Sequence, residues 1–503
     1  MLASVPSAIV LGVDGHPVTV EVHVGVGLPG LTIVGLPDTA CREARDRVRA
    51  AVMAAGAAWP VKRITVNLAP SGRRKMGSGL DLAMAVGVLV ASEQLLPELV
   101  AGMGFVGELG LDGTVRPVPG VVPLVDAVEC TTVVVPVASA GDAALVEGPS
   151  VRAVTTLAEL VASVRGDESW SDHPVPPPVP SSSAMMDLAD VRGQPVVRRA
   201  LEVAAAGGHH LLMVGPPGAG KTMLASRMSG LLPDLGREMA MEATRVHSAA
   251  GLALHGGMVT RPPFRAPHHT ATMVALVGGG TEAMRPGEVS LAHGGVLFLD
   301  ELAEFSPTVL DALRQPLEEG IIRISRAKFA AHLPARVLLV AAMNPCPCGE
   351  AGRPGACRCP EGLLARYRRR LSGPLLDRFD LRVDVLRPEV EELLGNERSE
   401  STAAAAARVI TARDRALLRG VRANAELCGP ELERWAPLDG DARELLATAL
   451  RGGRLSARGL DRVRRVALTL ADLAGHDPPL TAGQVGTALQ LRADVSGIEG
   501  LAA

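Results

Sequence analysis

Residues 215–222 read Gly215-Pro216-Pro217-Gly218-Ala219-Gly220-Lys221-Thr222, which is the G-x-x-x-x-G-K-[ST] spacing of a phosphate loop. An apolar run, Leu211 to Val214, precedes it, and an Ala/Leu/Met segment, Thr222 to Leu232, follows. Strand, loop and helix in that order are the context the motif requires. Its glycines let backbone N–H groups turn toward phosphate oxygens with no Cβ in the way. The start of the following helix adds positive potential. Lys221 is placed to reach the β- and γ-phosphates of ATP, and the Thr222 hydroxyl to ligate Mg2+. The chain has 51 basic residues but only four lysines: Lys62, Lys75, Lys221 and Lys328. A lysine kept at the loop is meaningful where arginine has otherwise replaced it, because a compact ammonium and a planar guanidinium are not interchangeable at such a site.

The bulk numbers set limits. At 503 residues the chain is expected to hold roughly two to four domains. Hydrophobic residues make up 47% but aromatics only 2%, so the cores are aliphatic. A formal charge of −3 carries no global polyanion-binding signature, and any nucleic-acid contact must come from local patches. The N-terminus lacks a basic stretch and meets Asp14 early, unlike a signal peptide. There is no apolar run long enough to span a membrane. Seven cysteines, an odd number, fit a reducing cytoplasm better than a disulfide framework.

The expected fold class is α/β with a helical C-terminal part. Residues 1–165 read as one α/β domain. Strand-like alternation runs through Val18–Val24 and Arg63–Leu68, and helix-like stretches cover Ala40–Ala54 and Leu80–Leu95. Residues 166–186 are dominated by proline and serine and read as a stiff, exposed linker. Residues 187–388 return to an α/β pattern with the phosphate loop on the first buried strand. Residues 389–503 are rich in Ala, Leu, Arg and Glu at helical spacing.

Further chemistry surrounds the loop. Val296-Leu297-Phe298-Leu299-Asp300-Glu301 is a buried strand ending in two acids, about 75 residues after the loop. Asp300 is placed to hold Mg2+, and Glu301 to polarise the attacking water. A third strand, Arg336 to Ala342, ends at Asn344, an amide suited either to the γ-phosphate or to a plain strand-end turn. Arg378, in Leu375-Leu376-Asp377-Arg378-Phe379-Asp380, suits transition-state charge in a neighbouring subunit; a pair with Asp377 or Asp380 is the plain alternative. Arg458, in Ser456-Ala457-Arg458-Gly459, opens a basic helix with Ser456 as its N-cap, and either reaches the phosphates or is simply solvated. Cys346, Cys348, Cys357 and Cys359, spaced C-x-C-x8-C-x-C within residues 346–359, suit tetrahedral Zn2+, with unliganded loop thiols as the other reading.

These motifs, GPPGAGKT, VLFLDE, MN, LLDRFD and SARG in that order, resemble an AAA+ ATPase. FRAPHHT (264–270), LVGGG (276–280), the run 285–305, LRQPLEEG (313–320) and MNPCPCG (343–349) are narrower: they resemble the magnesium-chelatase-like family of ComM and YifB. GLPGLTIVGLP (27–37) resembles that family's Lon-protease-like N-terminal domain. The likeness covers essentially the whole chain. It implies a Lon-like N-terminal α/β domain, an AAA+ domain over 187–388, and a C-terminal helical lid over 389–503. Lon-type proteases use a serine–lysine dyad. By ungapped alignment Gly79 rather than Ser78 stands at the nucleophile position and Val122 at that of the lysine, so the domain reads as non-proteolytic.

In motors resembling this clade, two longer segments face the pore of a ring. Here the first carries Phe264, Arg265, His268 and His269, and the second is a hairpin with Arg323, Arg326, Lys328 and Phe329. Both combine cations for phosphates with a ring for a base face; core packing and solvated arginines are the plain alternative. The resemblance implies a homo-oligomer, expected to be a hexamer, that hydrolyses ATP to drive branch migration or unwinding of DNA. It further implies a role in recombination or natural transformation, with recombination proteins as partners. The alternatives are a chelatase-type ATPase subunit that remodels a protein partner, and a nucleotide-gated adaptor.

Overall fold

Strict alternation builds the N-terminal sheet. In the strand Asp14–Gly25, Val18, Val20, Val22 and Val24 are buried while Thr19, Glu21 and His23 face outward, the period of two that a half-covered strand demands. The computed structural model describes residues 1–170, 186–280, 284–326, 329–351, 355–394 and 399–492.

The first unit contains β1 (Leu2–Leu11), β2 (Asp14–Gly25), β3 (Gly30–Val34), α1 (Thr39–Ala54), β4 (Arg63–Ala69) and α2 (Asp81–Ala91). The sheet order is β1-β2-β4-β3, antiparallel except for the β3–β4 pair. Every residue of α2 is buried, so this helix forms the centre of the core. It stops at Ala91, short of the expected Leu95. There Glu93 takes a left-handed φ of 63°, and the amides of Glu93 and Gln94 fold back to the carbonyls of Val90 and Leu89, closing the helix.

The unit continues with β5 (Met103–Phe105), the short pair β6 (Glu108–Leu109) and β7 (Val115–Arg116), α3 (Val121–Ala127), β8 (Thr132–Pro136), α4 (Ala140–Ala143), β9 (Ser150–Val154) and α5 (Leu157–Arg165). β5, β8 and β9 form a small parallel sheet. Trp170, five residues beyond α5, still packs against this unit, with the Arg152 guanidinium 5.7 Å from its ring.

The second unit opens with α6 (Pro195–Gly207), β10 (Leu211–Val214) and α7 (Lys221–Ala225). The helix expected to run from Thr222 to Leu232 is broken: after Ala225 the chain turns and continues as a 3-10 helix over Met228–Leu231. Arg227 turns its guanidinium to the carbonyls of Asp187 and Met223 at this break. Next come α8 (Arg237–Ala249), β11 (Phe264–Arg265), α9 (Met273–Val277), β12 (Gly278–Gly279), β13 (Arg285–Pro286), α10 (Glu288–Leu291) and β14 (Val296–Leu299). They are followed by α11 (Pro307–Ala312), α12 (Arg314–Glu319), the hairpin β15 (Ile321–Arg326) and β16 (Phe329–Pro334), then β17 (Leu338–Met343), α13 (Glu361–Arg369), α14 (Gly373–Leu376), β18 (Leu381–Asp384) and α15 (Val390–Leu394).

The main sheet is parallel, in the order β11-β14-β17-β10-β18. Its central strands β10, β14 and β17 are buried on both faces. Met213, Phe298 and Val340 point into one core, and Val214, Leu299 and Leu339 into the other. That is why β10, β14 and β17 read as unbroken apolar runs.

The remaining elements are helical: α16 (Thr402–Leu418), α17 (Gly429–Trp435), α18 (Gly440–Arg451), α19 (Ala457–Leu473) and α20 (Ala482–Gln490). Their apolar faces join the core that α6 begins. Buried Asp472 accepts from Arg415, Arg419 and Asn424, pairing a charge that burial would otherwise penalise. The first unit docks on the second through α3 and α8. Gly120 N–H donates to the Ser248 carbonyl (2.8 Å), Val122 N–H to Ser248 Oγ (3.2 Å), and Arg245 pairs with Asp126 (2.8 Å).

His210 ties β10 to the centre of this sheet, because its Nδ1 accepts from the Leu339 N–H at 3.1 Å. That nitrogen must be unprotonated, and burial pushes the imidazole down from 6.5 to about 4. A folded pKa below the unfolded one contributes stability that is full above pH 6.5 and lost as pH falls through about 4. Denaturation midpoints should therefore fall across that window. His210→Asn, whose carbonyl can still accept from the amide, should flatten the slope; an unchanged slope would remove His210 as its cause.

Candidate functional site

Three strand ends converge. β10 delivers the phosphate loop, β14 delivers Asp300 and Glu301, and β17 delivers Asn344, because parallel strands side by side place their C-terminal ends on one edge. A cleft of about 490 Å3 opens there, lined by residues 217–223 together with Asp300, Glu301, Met343 and Asn344. Gly215 N–H donates to the Met343 carbonyl at 3.1 Å, which fixes the root of the loop to β17. Gly218 and Gly220 take left-handed φ of 76° and 88°, a conformation that side chains with a Cβ rarely adopt.

Within the cleft the Lys221 ammonium donates to the carbonyls of Gly215 (2.7 Å) and Pro216 (2.9 Å) and to Asn344 Oδ1 (3.1 Å). Burial pushes its pKa below the ordinary value, while Asp300 and Glu301 pull it back up. Thr222 Oγ1 donates to Asp300 Oδ2 at 2.6 Å, so the two oxygens suited to Mg2+ are already adjacent. The other Asp300 oxygen accepts from Glu301 N–H at 2.9 Å. Glu301 has a φ of 51°. A non-glycine residue held in the left-handed region is a strain that clusters at functional sites, and here it aims a carboxylate into the cleft.

One partner of that carboxylate was not legible as such in the sequence. His269 Nδ1 lies 3.1 Å from Glu301 Oε2. Its ring is packed 4.1 Å from His268 and edge-on to Phe305 at 6.5 Å. The resemblance implies that both histidines face DNA. The structure sets His269 against Glu301, and His268 Nδ1 beside Thr270 Oγ1 at 2.9 Å. Phe264 and Arg265 are also engaged within the chain: the Phe264 ring stacks on Phe298 at 6.0 Å, and Arg265 grips Glu288 through two bonds of 2.6 and 2.8 Å. On the hairpin, Arg323 is exposed and pairs with Glu319 at 3.0 Å. Arg326 and Phe329 are cross-strand partners at the hairpin's end, and Lys328 lies outside the described residues.

Arg378 does not line the cleft. It donates to the carbonyls of Pro374 (2.5 Å) and Arg314 (3.3 Å) and pairs with Glu318, rather than with Asp377 or Asp380. Arg458, expected over the phosphates from the helical part, is exposed at the start of α19 and is likewise absent from the cleft's lining. It is near enough to Arg378 to help lower that guanidinium's pKa, behind burial as the main cause. One turn on, Arg462 donates to the Arg378 carbonyl (3.1 Å) and to Asp380 Oδ1 (2.8 Å). Ser456 caps α19 by accepting from Gly459 N–H at 3.2 Å. The arginines thus form a cationic group outside the lining of the cleft that holds Lys221.

In the N-terminal unit the Ser78 hydroxyl donates to Glu108, and buried Lys75 donates to the carbonyls of Pro70 and Arg73. Val122 is fully buried, and its amide is spent on Ser248. Among the described residues no serine–lysine hydrogen bond forms there.

The cysteine quartet gathers as the spacing suggested. Its four Sγ atoms lie within 4.8 Å of one another, an arrangement compatible with a metal. Among the described residues no helix is long and apolar enough to cross a membrane.

Comparison with known proteins agrees with this geometry. Residues 187–393 match the family described as magnesium chelatase, subunit ChlI; residues 20–139 match subunit ChlI of Mg-chelatase; and residues 399–492 match the ChlI C-terminal family. An uncharacterized protein of Mycobacterium tuberculosis is 48% identical over 495 residues, covering 97% of each chain. YifB of Escherichia coli is 44% identical over 481 residues, covering 95% of this chain and 94% of that one. Competence protein ComM of Haemophilus influenzae is 44% identical over 485 residues, covering 94% of each. A shorter likeness, 27% over 136 residues, links this chain to the minichromosome maintenance protein MCM of Saccharolobus solfataricus.

Asn344 bridges Lys221 and the open cleft, so Asn344→Ala should slow ATP turnover by roughly 10- to 100-fold while nucleotide affinity stays within a few fold. Steady-state hydrolysis beside titration with a fluorescent ATP analogue checks this. Equal losses in both would mean that Asn344 only supports binding.

Proposed function

The chain belongs to the magnesium-chelatase-like ComM/YifB family, and we propose that it is an ATPase: an ATP-driven ring motor acting on DNA, a ComM-like branch-migration helicase. The observation that carries the ATPase half is the set of groups on the three strand ends. Lys221 would hold the β- and γ-phosphates, and Thr222 and Asp300 would hold Mg2+. Glu301 would polarise water, and Asn344 would orient the γ-phosphate. A switch that only bound nucleotide would have no use for a strained carboxylate lining the cleft.

ATP and Mg2+ are the cofactors of this reading. Arg378 and Arg458 would serve the nucleotide of an adjoining subunit, since neither lines its own cleft. That role requires a homo-oligomeric ring, hexameric in this proposal. The DNA half is supported by the relatives: a competence protein at 44% identity, and a short stretch similar to a protein named probable DNA helicase. Exposed Arg323 on the β15–β16 hairpin offers a cation for a strand's phosphates.

The experiment is steady-state hydrolysis with and without single-stranded and branched DNA. We expect stimulation of about tenfold or more by DNA, falling as salt rises. Lys221→Ala and Glu301→Gln should both abolish hydrolysis, the first by removing nucleotide binding and the second while retaining it. Hydrolysis indifferent to every DNA would overturn the DNA half and leave a protein partner as the target.

A further inference from the structure

Cys346 follows Asn344 by two residues, so the cysteine quartet starts where the nucleotide site ends. Three of its Sγ pairs are separated by 3.3, 3.8 and 3.7 Å. A disulfide would need about 2.05 Å, and all four thiols are free. In a regular tetrahedron with zinc–sulfur bonds of about 2.3 Å, neighbouring sulfurs stand about 3.8 Å apart. Two of the three separations among Cys346, Cys348 and Cys357 match that value, the third is shorter, and Cys359 Sγ lies within 4.8 Å of the other three. Glycines make the turns: Gly349 and Gly355 take left-handed φ of 82° and 73°.

The quartet is also built into the nucleotide site. A Cβ on Gly349 would stand 2.3 Å from Pro217 Cδ, so the knuckle's backbone presses directly on the phosphate loop. Tyr367 donates its hydroxyl to the Asn344 carbonyl at 3.0 Å, and Arg387 reaches Glu350 at 2.9 Å. Cys346 itself is fully buried.

We propose that Cys346, Cys348, Cys357 and Cys359 bind one Zn2+, and that the loaded knuckle holds Asn344 and the phosphate loop in their mutual positions. Zinc here cross-links a segment too short to form a core of its own, the usual reason small units rely on a metal. The consequence is specific: loss of the ion loosens the residues on either side of Pro217 and Asn344, and leaves the N-terminal sheet untouched.

The test uses the full chain, purified in reducing buffer without chelator or added metal. Elemental analysis should find about one zinc per chain. The Cys357→Ser/Cys359→Ser variant should lose it, while Cys130→Ser/Cys428→Ser, changed at distant thiols, should keep it. Stoichiometry well below one in the unaltered chain, iron in place of zinc, or full zinc in the first variant would overturn the site. Hydrogen exchange on the unaltered chain before and after zinc extraction then tests the coupling without relying on any variant folding. Amides in 215–222 and 343–349 should exchange faster after extraction, and those of β1 and β2 should not change. Gly349→Ala should keep its zinc but weaken binding of a fluorescent ATP analogue by about fivefold or more. Unchanged exchange at 215–222, or unchanged nucleotide affinity in that variant, would overturn the coupling.

Discussion

The insertion of β17 between β14 and β10 is the constraint on which the nucleotide site rests. Met343 is paired with Val214 and its carbonyl takes the Gly215 amide, while Ala341 is paired with Leu299 on the other side. The strand that carries Asn344 therefore sets the distance between the phosphate loop and the acidic pair. Its side chains fill both cores at once. Because interiors of this kind are close-packed, β17 cannot slide without disturbing either neighbour. The Lys221–Asn344 contact and the Thr222–Asp300 contact are two readouts of one sheet register.

The charges are arranged around the same frame. Lys221 and the acids sit at the strand ends, whereas Arg378, Arg458 and Arg462 gather where α14 meets α19. Arg462 fastens the Arg378 turn to the helical part through a backbone carbonyl and Asp380. In the proposed ring, such a subunit would carry one half of a hydrolytic site at its cleft and the arginine group that serves its neighbour elsewhere. The docking of α3 on α8 adds the N-terminal unit to the same body through the amides of Gly120 and Val122.

The phosphate loop, the acidic strand end, the hairpin and the capped α19 were legible because each is a local pattern: a spacing, an apolar run or a capping residue. The Asp300, Glu301 and Asn344 positions followed from runs of apolar residues that end abruptly. The partnership of His269 with Glu301 was not legible, since nothing in the spacing of the two links a loop histidine to a strand-end acid. The same holds for Gly349 against Pro217, and for Arg458 beside Arg378 instead of over the cleft. Each is a meeting of distant segments that only the packed structure decides. The early ends of α2 and α7 were missed for a related reason. Propensity favoured longer helices, and in the folded chain a left-handed Glu93 closes one while the Arg227 guanidinium takes up carbonyls beside the break in the other.

The claim at the centre of this account is that one subunit's cleft is completed by the arginines of another. The most direct measurement mixes two inactive proteins, Lys221→Ala and Arg378→Ala, and follows ATP hydrolysis as their ratio changes. Each alone should be inactive, and activity should return on mixing, highest near equal amounts, because some clefts then pair an intact Lys221 with an intact Arg378. Mixtures that stay inactive at every ratio, or an Arg378→Ala protein that hydrolyses ATP unaided, would contradict it.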